Sequence, residues 1–427
     1  MPGDASRRLR YDMTKDAARP DKRIRASIGS RPQRDPKTRI TNATIRLIAE
    51  KGSASLSHRD VAAAAGVSLA ATTYHFQSKE QIIQAASCNL LADCLLAIER
   101  EAGRSTIEKG GTPCFATFAR RLLYRAAGRQ HQATIAWCEI ILDAARSSGG
   151  AIHARPWWSS VTQKWLTVAQ ASGLPDPQRQ YLVALDRAIG LSLMIAALDL
   201  NDRALKRVFE QNEDPRTAWA PADPASLMPT VRQATGRKAA DTQARIIDAA
   251  VSLLMQFGAG AITHRAVAEA AQMTLTAPTY HFGSIESLLA TAQRSLFERS
   301  KDRYRAMSGE AGRPDDIAGL VDLTATIFIR EVTEFGPLNL SNFSVWLAAA
   351  RHDGLKQTVW AAILDQAEGW RRQFDRLGIV HRPIDPFLIQ CSFVGRMVRL
   401  LSSDATIAEI ALSRSLFALD LALIQPE

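Results

Sequence analysis

The chain repeats itself, and that constrains its fold more than any other property of the sequence. The stretch KTRITNATIRLIAEKGSASLSHRDVAAAAGVSLAATTYHFQSKEQII (37–83) lies over QARIIDAAVSLLMQFGAGAITHRAVAEAAQMTLTAPTYHFGSIESLL (243–289) at an offset of 206 residues, without a gap, and 19 of the 47 positions are identical. Gly52 matches Gly258, His58-Arg59 matches His264-Arg265, and Thr73-Tyr74-His75-Phe76 matches Thr279-Tyr280-His281-Phe282. At an offset of 205 the register continues more sparsely, pairing Ala144-Ala145-Arg146 with Ala349-Ala350-Arg351, Trp165 with Trp370, Gly173 with Gly378, Gly190 with Gly395 and Asp199 with Asp404. A repeat this long is a duplicated domain pair, since solenoid periods run from about 20 to 50 residues.

Each half of the 427 residues is long enough to bury a core of its own. The apolar periodicity is helical: Ile40, Ala43, Leu47 and Ile48 share one face, as do Ile246, Ala249, Ala250, Leu253 and Leu254. Period-two alternation is scarce, so the expected fold is all-α, with two tandem units. The boundaries read as a disordered basic arm (1–36), a first head (37–89), a first helical body (90–212), a linker (213–240), a second head (241–295) and a second body (296–427). The linker is marked by Pro215, Pro221, Pro224 and Pro229 and by weak hydrophobic periodicity.

The net charge of +10 is concentrated at the start. Residues 1–36 hold ten Lys/Arg against five Asp/Glu, and residues 37–89 six against three, an electrostatic footprint for nucleic acid. The arm itself is either a DNA-touching extension or a solvated tail. Arg7, Arg8 and Arg10 precede no apolar run, and no stretch approaches the 18 or more uncharged apolar residues of a membrane span, so a cytoplasmic protein is expected. Five scattered cysteines, Cys88, Cys94, Cys114, Cys138 and Cys391, suggest neither disulfides nor zinc and read as small hydrophobes. No phosphate loop, serine-nucleophile motif or paired-carboxylate pattern is present, so neither enzyme activity nor a cofactor is expected. His58 and His264 lack partners at metal-ligand spacing, so no metal site is expected either.

Within each copy the first helix runs into a glycine, Gly52 or Gly258, where a left-handed cap is expected. Ser57 or Thr263 then caps a short Ala-rich helix, HRDVAAAA or HRAVAEAA, whose small side chains suit close packing. In the first copy Gly66-Val67-Ser68 makes a tight turn into a third helix, LAATTYHF, completing a helix-turn-helix; its counterpart is LTAPTYHF. Such a unit lays its second helix in the major groove.

This arrangement resembles the N-terminal domain of the TetR family of bacterial transcriptional regulators, over about 50 residues in each copy. The resemblance implies a three-helix DNA-binding head on a larger helical body that holds a small-molecule effector, and a dimer built on the last two helices of the body. It also implies DNA contacts at Ser57, His58, Arg59 and Lys79, and along a recognition helix from Ser68, Leu69 and Ala70 through Thr72, Thr73, Tyr74 and His75. In the second head the matching positions are Thr263, His264 and Arg265, then Thr274, Leu275, Thr276 and Pro278, then Thr279, Tyr280 and His281. Arg and Lys neutralise phosphate and hydroxyls donate to it, which makes these residue types chemically suitable. His75 and His281 equally suit packing beside Phe76 and Phe282. Two departures stand out: the family's usual Tyr position holds Thr73 or Thr279, with Tyr one place later, and no Asn or Gln offers bidentate adenine readout.

The functional expectation is a ligand-responsive repressor on a double-stranded DNA operator; the alternative is an adaptor that binds DNA weakly and acts through protein association. The bodies are rich in tryptophan, which serves cores or a chamber for an aromatic or bulky apolar effector; Trp137, Glu139, Trp165, Trp346 and Trp370 are the candidates. The apolar stretches 182–200 and 387–401, with Gly190 and Gly395 in register, suggest that the bodies pair as an intramolecular pseudo-dimer, across a linker whose r.m.s. reach is about 30 Å. The heads are expected to be unequal on an asymmetric operator, because Lys79 is replaced by Ile285 and Gly66 by Gln272.

Overall fold

The computed structural model describes residues 35–108, 113–147, 149–221 and 236–424. The basic arm, apart from Asp35 and Pro36, and the middle of the expected linker lie outside them. Every regular element among the described residues is helical.

The first copy runs α1 (Pro36–Lys51), α2 (His58–Ala65), α3 (Leu69–His75), α4 (Lys79–Glu108), α5 (Phe115–Ala127), α6 (His131–Arg146), α7 (Ala151–Ala171), α8 (Pro177–Leu198), α9 (Asp202–Phe209) and α10 (Pro215–Ala218). The second runs α11 (Arg237–Phe257), a 3₁₀ turn at Ala259–Ala261, α12 (His264–Ala270), α13 (Ala277–Phe282), α14 (Ile285–Ala311), α15 (Ile317–Thr333), α16 (Gly336–Ala348), α17 (Asp353–Arg376), α18 (Asp385–Ser402), α19 (Ile407–Ala411) and α20 (Ser413–Ala422). From α1/α11 through α8/α18 each helix has its counterpart ten labels on.

Local chemistry sets the ends. Ser57 and Thr263 accept hydrogen bonds from the Asp60 and Ala266 amides, capping α2 and α12. Asp176 caps α8 with Pro177 in the first turn, where the missing N–H costs nothing. Gly52 and Gly258 both have positive φ, +78° and +75°, but Gly258 pairs it with ψ 179°, a conformation open essentially to glycine alone, so the left-handed helical cap expected there is corrected to an open turn leading into the 3₁₀ segment. Asp199 and Asp404 adopt φ of 55° and 52°, so even a strained backbone position is repeated between the copies.

The two bodies pack on each other along α8 and α18. Gly190 and Gly395 meet at the crossing: a Cβ on Gly395 would lie 1.8 Å from the Asp186 carbonyl oxygen, and one on Gly190 2.2 Å from that of Cys391. Backbones approach this closely only because both positions lack side chains. The seam also contains buried charge. Arg396, fully buried, donates to Asp186 and Asp420 at 2.9 Å each, Arg399 donates to Asp186 at 2.7 Å, and Arg187 reaches Asp420 at 3.0 Å. Arg396 further stacks over the Phe417 ring, 4.1 Å from its centroid. The apolar length of α8 matches a membrane span by composition, as does that of α4, but α8 spends its apolar surface on this seam.

Part of the segment read as a linker is docked. Residues 215–218 form α10, and Trp219 is buried edge-on against Phe387 of α18, its indole donating to the Ala204 carbonyl. At the other end, residues 237–240 already belong to α11. The first head has a small core of its own (Ile40, Leu47, Val61, Phe76 and Ile82 among others), whereas the core of the second, with Ile246, Leu254 and Phe282, is continuous with that of the bodies.

Candidate nucleic-acid interface and effector cavities

In each head the second and third helices meet at a left-handed turn, Gly66 at φ 63° and Gln272 at φ 54°. The turn is braced alike in both: Arg39 donates to the Gly66 carbonyl at 2.6 Å and Arg245 to the Ala271 carbonyl at 2.9 Å. A side chain at φ above zero costs roughly 1–2 kcal/mol, so the second head retains the bend at a penalty the first avoids.

Ser68 caps α3 by accepting from the Ala71 amide. Leu69, Ala70, Thr73 and Tyr74 are exposed along it, Tyr74 being 85% accessible, and His75 is half-buried with its ring edge-on to Tyr74. Thr72 is placed differently from expectation: it is buried on the inner side of α3, and its hydroxyl donates within the helix to the Leu69 carbonyl instead of facing outward. Its counterpart Pro278 is buried too, and as a proline in the first turn it delays the helix, so α13 begins at Ala277 and leaves Thr274, Leu275 and Thr276 in the preceding turn. Thr279 and Tyr280 are exposed, Tyr280 at 64%, and His281 is half-buried.

The basic residues differ more. Arg59 is exposed at the start of α2, next to half-buried His58. Arg265 is tied to Glu269 at 2.8 Å, a partner that becomes available because Ala63 is replaced by Glu269. Lys79 donates to the Ala54 carbonyl at 2.8 Å, which braces the loop before α2, and Ile285 offers no equivalent.

Sequence reasoning missed a pair of arginines that cross between the copies. Arg351, just after α16, donates to the Ile48 and Ala49 carbonyls at the end of α1, at 3.0 and 2.9 Å, so a residue of the second unit caps a helix of the first head. Its counterpart Arg146 donates to the Leu340 carbonyl of α16 and lies against Gly258 at the end of α11. The signal was present in the repeat, which preserves Ala-Ala-Arg at both sites, but not where the side chains would point. Glu139 completes the first clasp, pairing with Arg351 at 2.7 Å. Glu139, a candidate for the effector chamber, does not line the cavity: two residues beyond Trp137 on a helix, it points to nearly the opposite face. Asp143 accepts from Ser53 and pairs with Arg146 at 2.7 Å; burial, reinforced by the charge of Glu139, pushes its carboxyl up to about 6, with Arg146 and Ser53 opposing.

Each body holds a cavity that opens to solvent. The first, about 150 Å³, is lined by Cys94, Ile98, Trp137, Val161, Trp165 and Leu185 among others. The second, about 440 Å³, is bordered by Ser300, Tyr304, Asn342, Gln366, Trp370 and Gln390 among others. Trp137, Trp165 and Trp370 thus reach a cavity, while Trp346 is buried against Phe343 and lines neither. The reading of the cysteines as buried hydrophobes fits Cys138 and Cys391, but Cys88 is exposed. Among the described residues no group of three His, Cys, Asp or Glu side chains is placed to hold a metal ion.

Two helix-turn-helix heads on paired helical bodies define a double-headed DNA-binding regulatory protein. The model of the bacterial regulatory proteins of the tetR family matches residues 40–86 and again 246–292, so the chain carries that family's N-terminal domain twice in tandem. Among solved structures, a TetR-family member from Streptomyces coelicolor is 24% identical over 44% of this chain and 99% of its own, with a TM-score of 0.36. The multidrug-binding protein EbrR, complexed with imidazole, is 22% identical over 43% of this chain and 96% of its own, with a TM-score of 0.34. No curated protein matches the chain.

Proposed function

We propose that the chain is a cytoplasmic, ligand-responsive repressor in which one polypeptide supplies both halves of the usual dimer and reads an asymmetric operator. The observation that carries this reading is the charge pattern of the seam. At the repeat offset of 205, Asp186 corresponds to Cys391, Arg396 to Leu191 and Arg399 to Met194. Pairing two first bodies would set Asp186 against Leu191 and Met194; pairing two second bodies would set Arg396 against Cys391. Two first bodies would thus take Arg396 and Arg399 from buried Asp186, and two second bodies would leave Arg396 only the Asp420 of its own body and take Asp186 from Arg399. Leaving a buried charge uncompensated costs about 3–5 kcal/mol, so a first body against a second body is the pairing that completes the network. Trp219, reaching from the end of the first unit onto α18, favours that partner within the same chain.

On DNA, Arg59 and Lys79 engage phosphate at the first head, Lys79 by exchanging its carbonyl partner, while Ser68, Leu69, Ala70, Thr73 and Tyr74 approach the major groove. The second head offers Arg265, Thr276, Thr279 and Tyr280 with less free charge, and contributes less affinity. Effectors enter one or both body cavities and act on the heads through α4 and α6 or α14 and α16. Gel-shift titration on selected genomic fragments tests the reading: a non-palindromic site bound by one chain, with affinity falling steeply as salt rises, supports it. A palindromic site bound by two chains contradicts it.

A further inference from the structure

The two cavities occupy equivalent places in a duplicated fold, so residue-by-residue exchanges between them report divergence of ligand. Along α4 and α14, at an offset of 206, Cys94 becomes Ser300 and Ile98 becomes Tyr304. At an offset of 205, Trp137 becomes Asn342, Val161 becomes Gln366 and Leu185 becomes Gln390, while Trp165 is kept as Trp370. Five apolar or weakly polar walls have thus become hydrogen-bonding ones around a retained indole, and the space is about 440 Å³ against about 150 Å³.

The hydrogen-bonding capacity left over in the second cavity is mostly donor capacity. Gln390 donates to the Gln366 carbonyl oxygen at 2.7 Å and accepts from Trp370 at 3.2 Å, while the Gln366 amide nitrogen has no protein partner. The Asn342 carbonyl oxygen accepts from Gln293, and its nitrogen too has no protein partner. Burial beside Glu331 holds the Tyr304 phenol protonated well above its ordinary range, so it stays a donor. Lys301, Arg305 and Arg372 border the space against one acidic side chain, Asp365, which takes up Lys301 at 3.1 Å. Arg305 is held by Asp302, and Arg372 is left without an ion-pair partner.

From this we infer that the second cavity is a separate effector site for a hydrogen-bonding small molecule bearing an anionic group, so that the chain answers to two chemically distinct signals. The inference deepens the ligand-responsive reading and rests on it.

Two probes sharing one ring test it on the full chain by titration calorimetry: indole, neutral and apolar, and indole-3-acetate, the same ring with a carboxylate. Indole-3-acetate is expected to lose at least about tenfold in affinity in Arg372→Ala, since a hydrogen bond to a charged group contributes about 1.5–3 kcal/mol, and to lose binding in Asn342→Trp. Trp137→Asn should leave it unchanged while abolishing indole binding. Arg372 is exposed, so its replacement keeps the test valid if Asn342→Trp fails to fold. Loss of indole-3-acetate binding in Trp137→Asn but not in Arg372→Ala would overturn the assignment, as would binding of indole alone. Binding of neither probe at millimolar concentration would remove the ligand-responsive reading as well.

Discussion

The two heads share a fold and a sequence pattern, yet the arginine that opens the second helix is exposed in the first head and tied to a carboxylate in the second. Arg59 is exposed where Arg265 is held by Glu269, Lys79 stands where Ile285 does, and Gly66 makes for free the turn that Gln272 makes under strain. The cavities differ in the same manner, indole against amide at Trp137 and Asn342. What stays common is backbone: the positive φ at Asp199 and Asp404, the arginines bracing the turn, and Gly190 facing Gly395. Duplication within one chain removes the demand that both halves read the same sequence and bind the same ligand, while geometry remains under the old constraint.

The largest effect is expected at the seam, where the copies are unlike by necessity. Arg396→Ala leaves Asp186 and Asp420 short of a buried partner and should cost about 3–5 kcal/mol in denaturant unfolding. A loss below 1 kcal/mol would mean that the charges do not specify the pairing. Next come the heads. Arg59→Ala should weaken operator binding by about 1–3 kcal/mol at fixed salt, and Arg265→Ala by clearly less. Glu269→Ala should narrow the gap by freeing Arg265, and equal losses from the two arginine variants would erase the distinction between heads.

Smaller effects sharpen the account. Gln272→Gly should stabilise the second head by about 0.5–1 kcal/mol, the left-handed penalty less the entropy of glycine, while Gly66→Gln should destabilise the first by more, because a Cβ there would also meet Arg39 at 2.8 Å. At Asp143 the folded-state carboxyl titrates near 6, above its unfolded value. Its contribution is therefore fully present below about pH 4 and lost as pH rises through about 6. The advantage of wild type over Asp143→Asn in thermal unfolding should shrink across that window, and a constant difference would contradict the raised titration of this carboxyl.

Much of the fold was legible because it rests on local chemistry: helical periodicity, serine and threonine caps, and a repeat too regular to be accidental. The heads were legible for the same reason, since Gly66, Ser57 and Ser68 mark turn and caps within a few residues of one another. What stayed hidden depends on the direction of a side chain across long sequence separations. Glu139 looked like a charge left inside an apolar helix, but its partner Arg351 lies in the other unit. Asp186-Arg187, Arg396 with Arg399, and Asp420 were charges set in apolar stretches, a signal that buried pairs exist without saying which residues pair. Thr72 read as one hydroxyl among several on the recognition helix, and only packing turns it inward. Trp219 sat in a proline-rich stretch whose composition suggested a linker, yet it anchors that stretch to α18.

That one chain supplies both halves of the dimer is tested most directly by weighing the particle, free and on its operator. Light scattering at micromolar concentration should give the mass of a single chain, and the operator complex should contain one chain per site with both heads engaged. A free particle that stays at two chains on dilution, carrying two copies of each head to the DNA, would contradict the account.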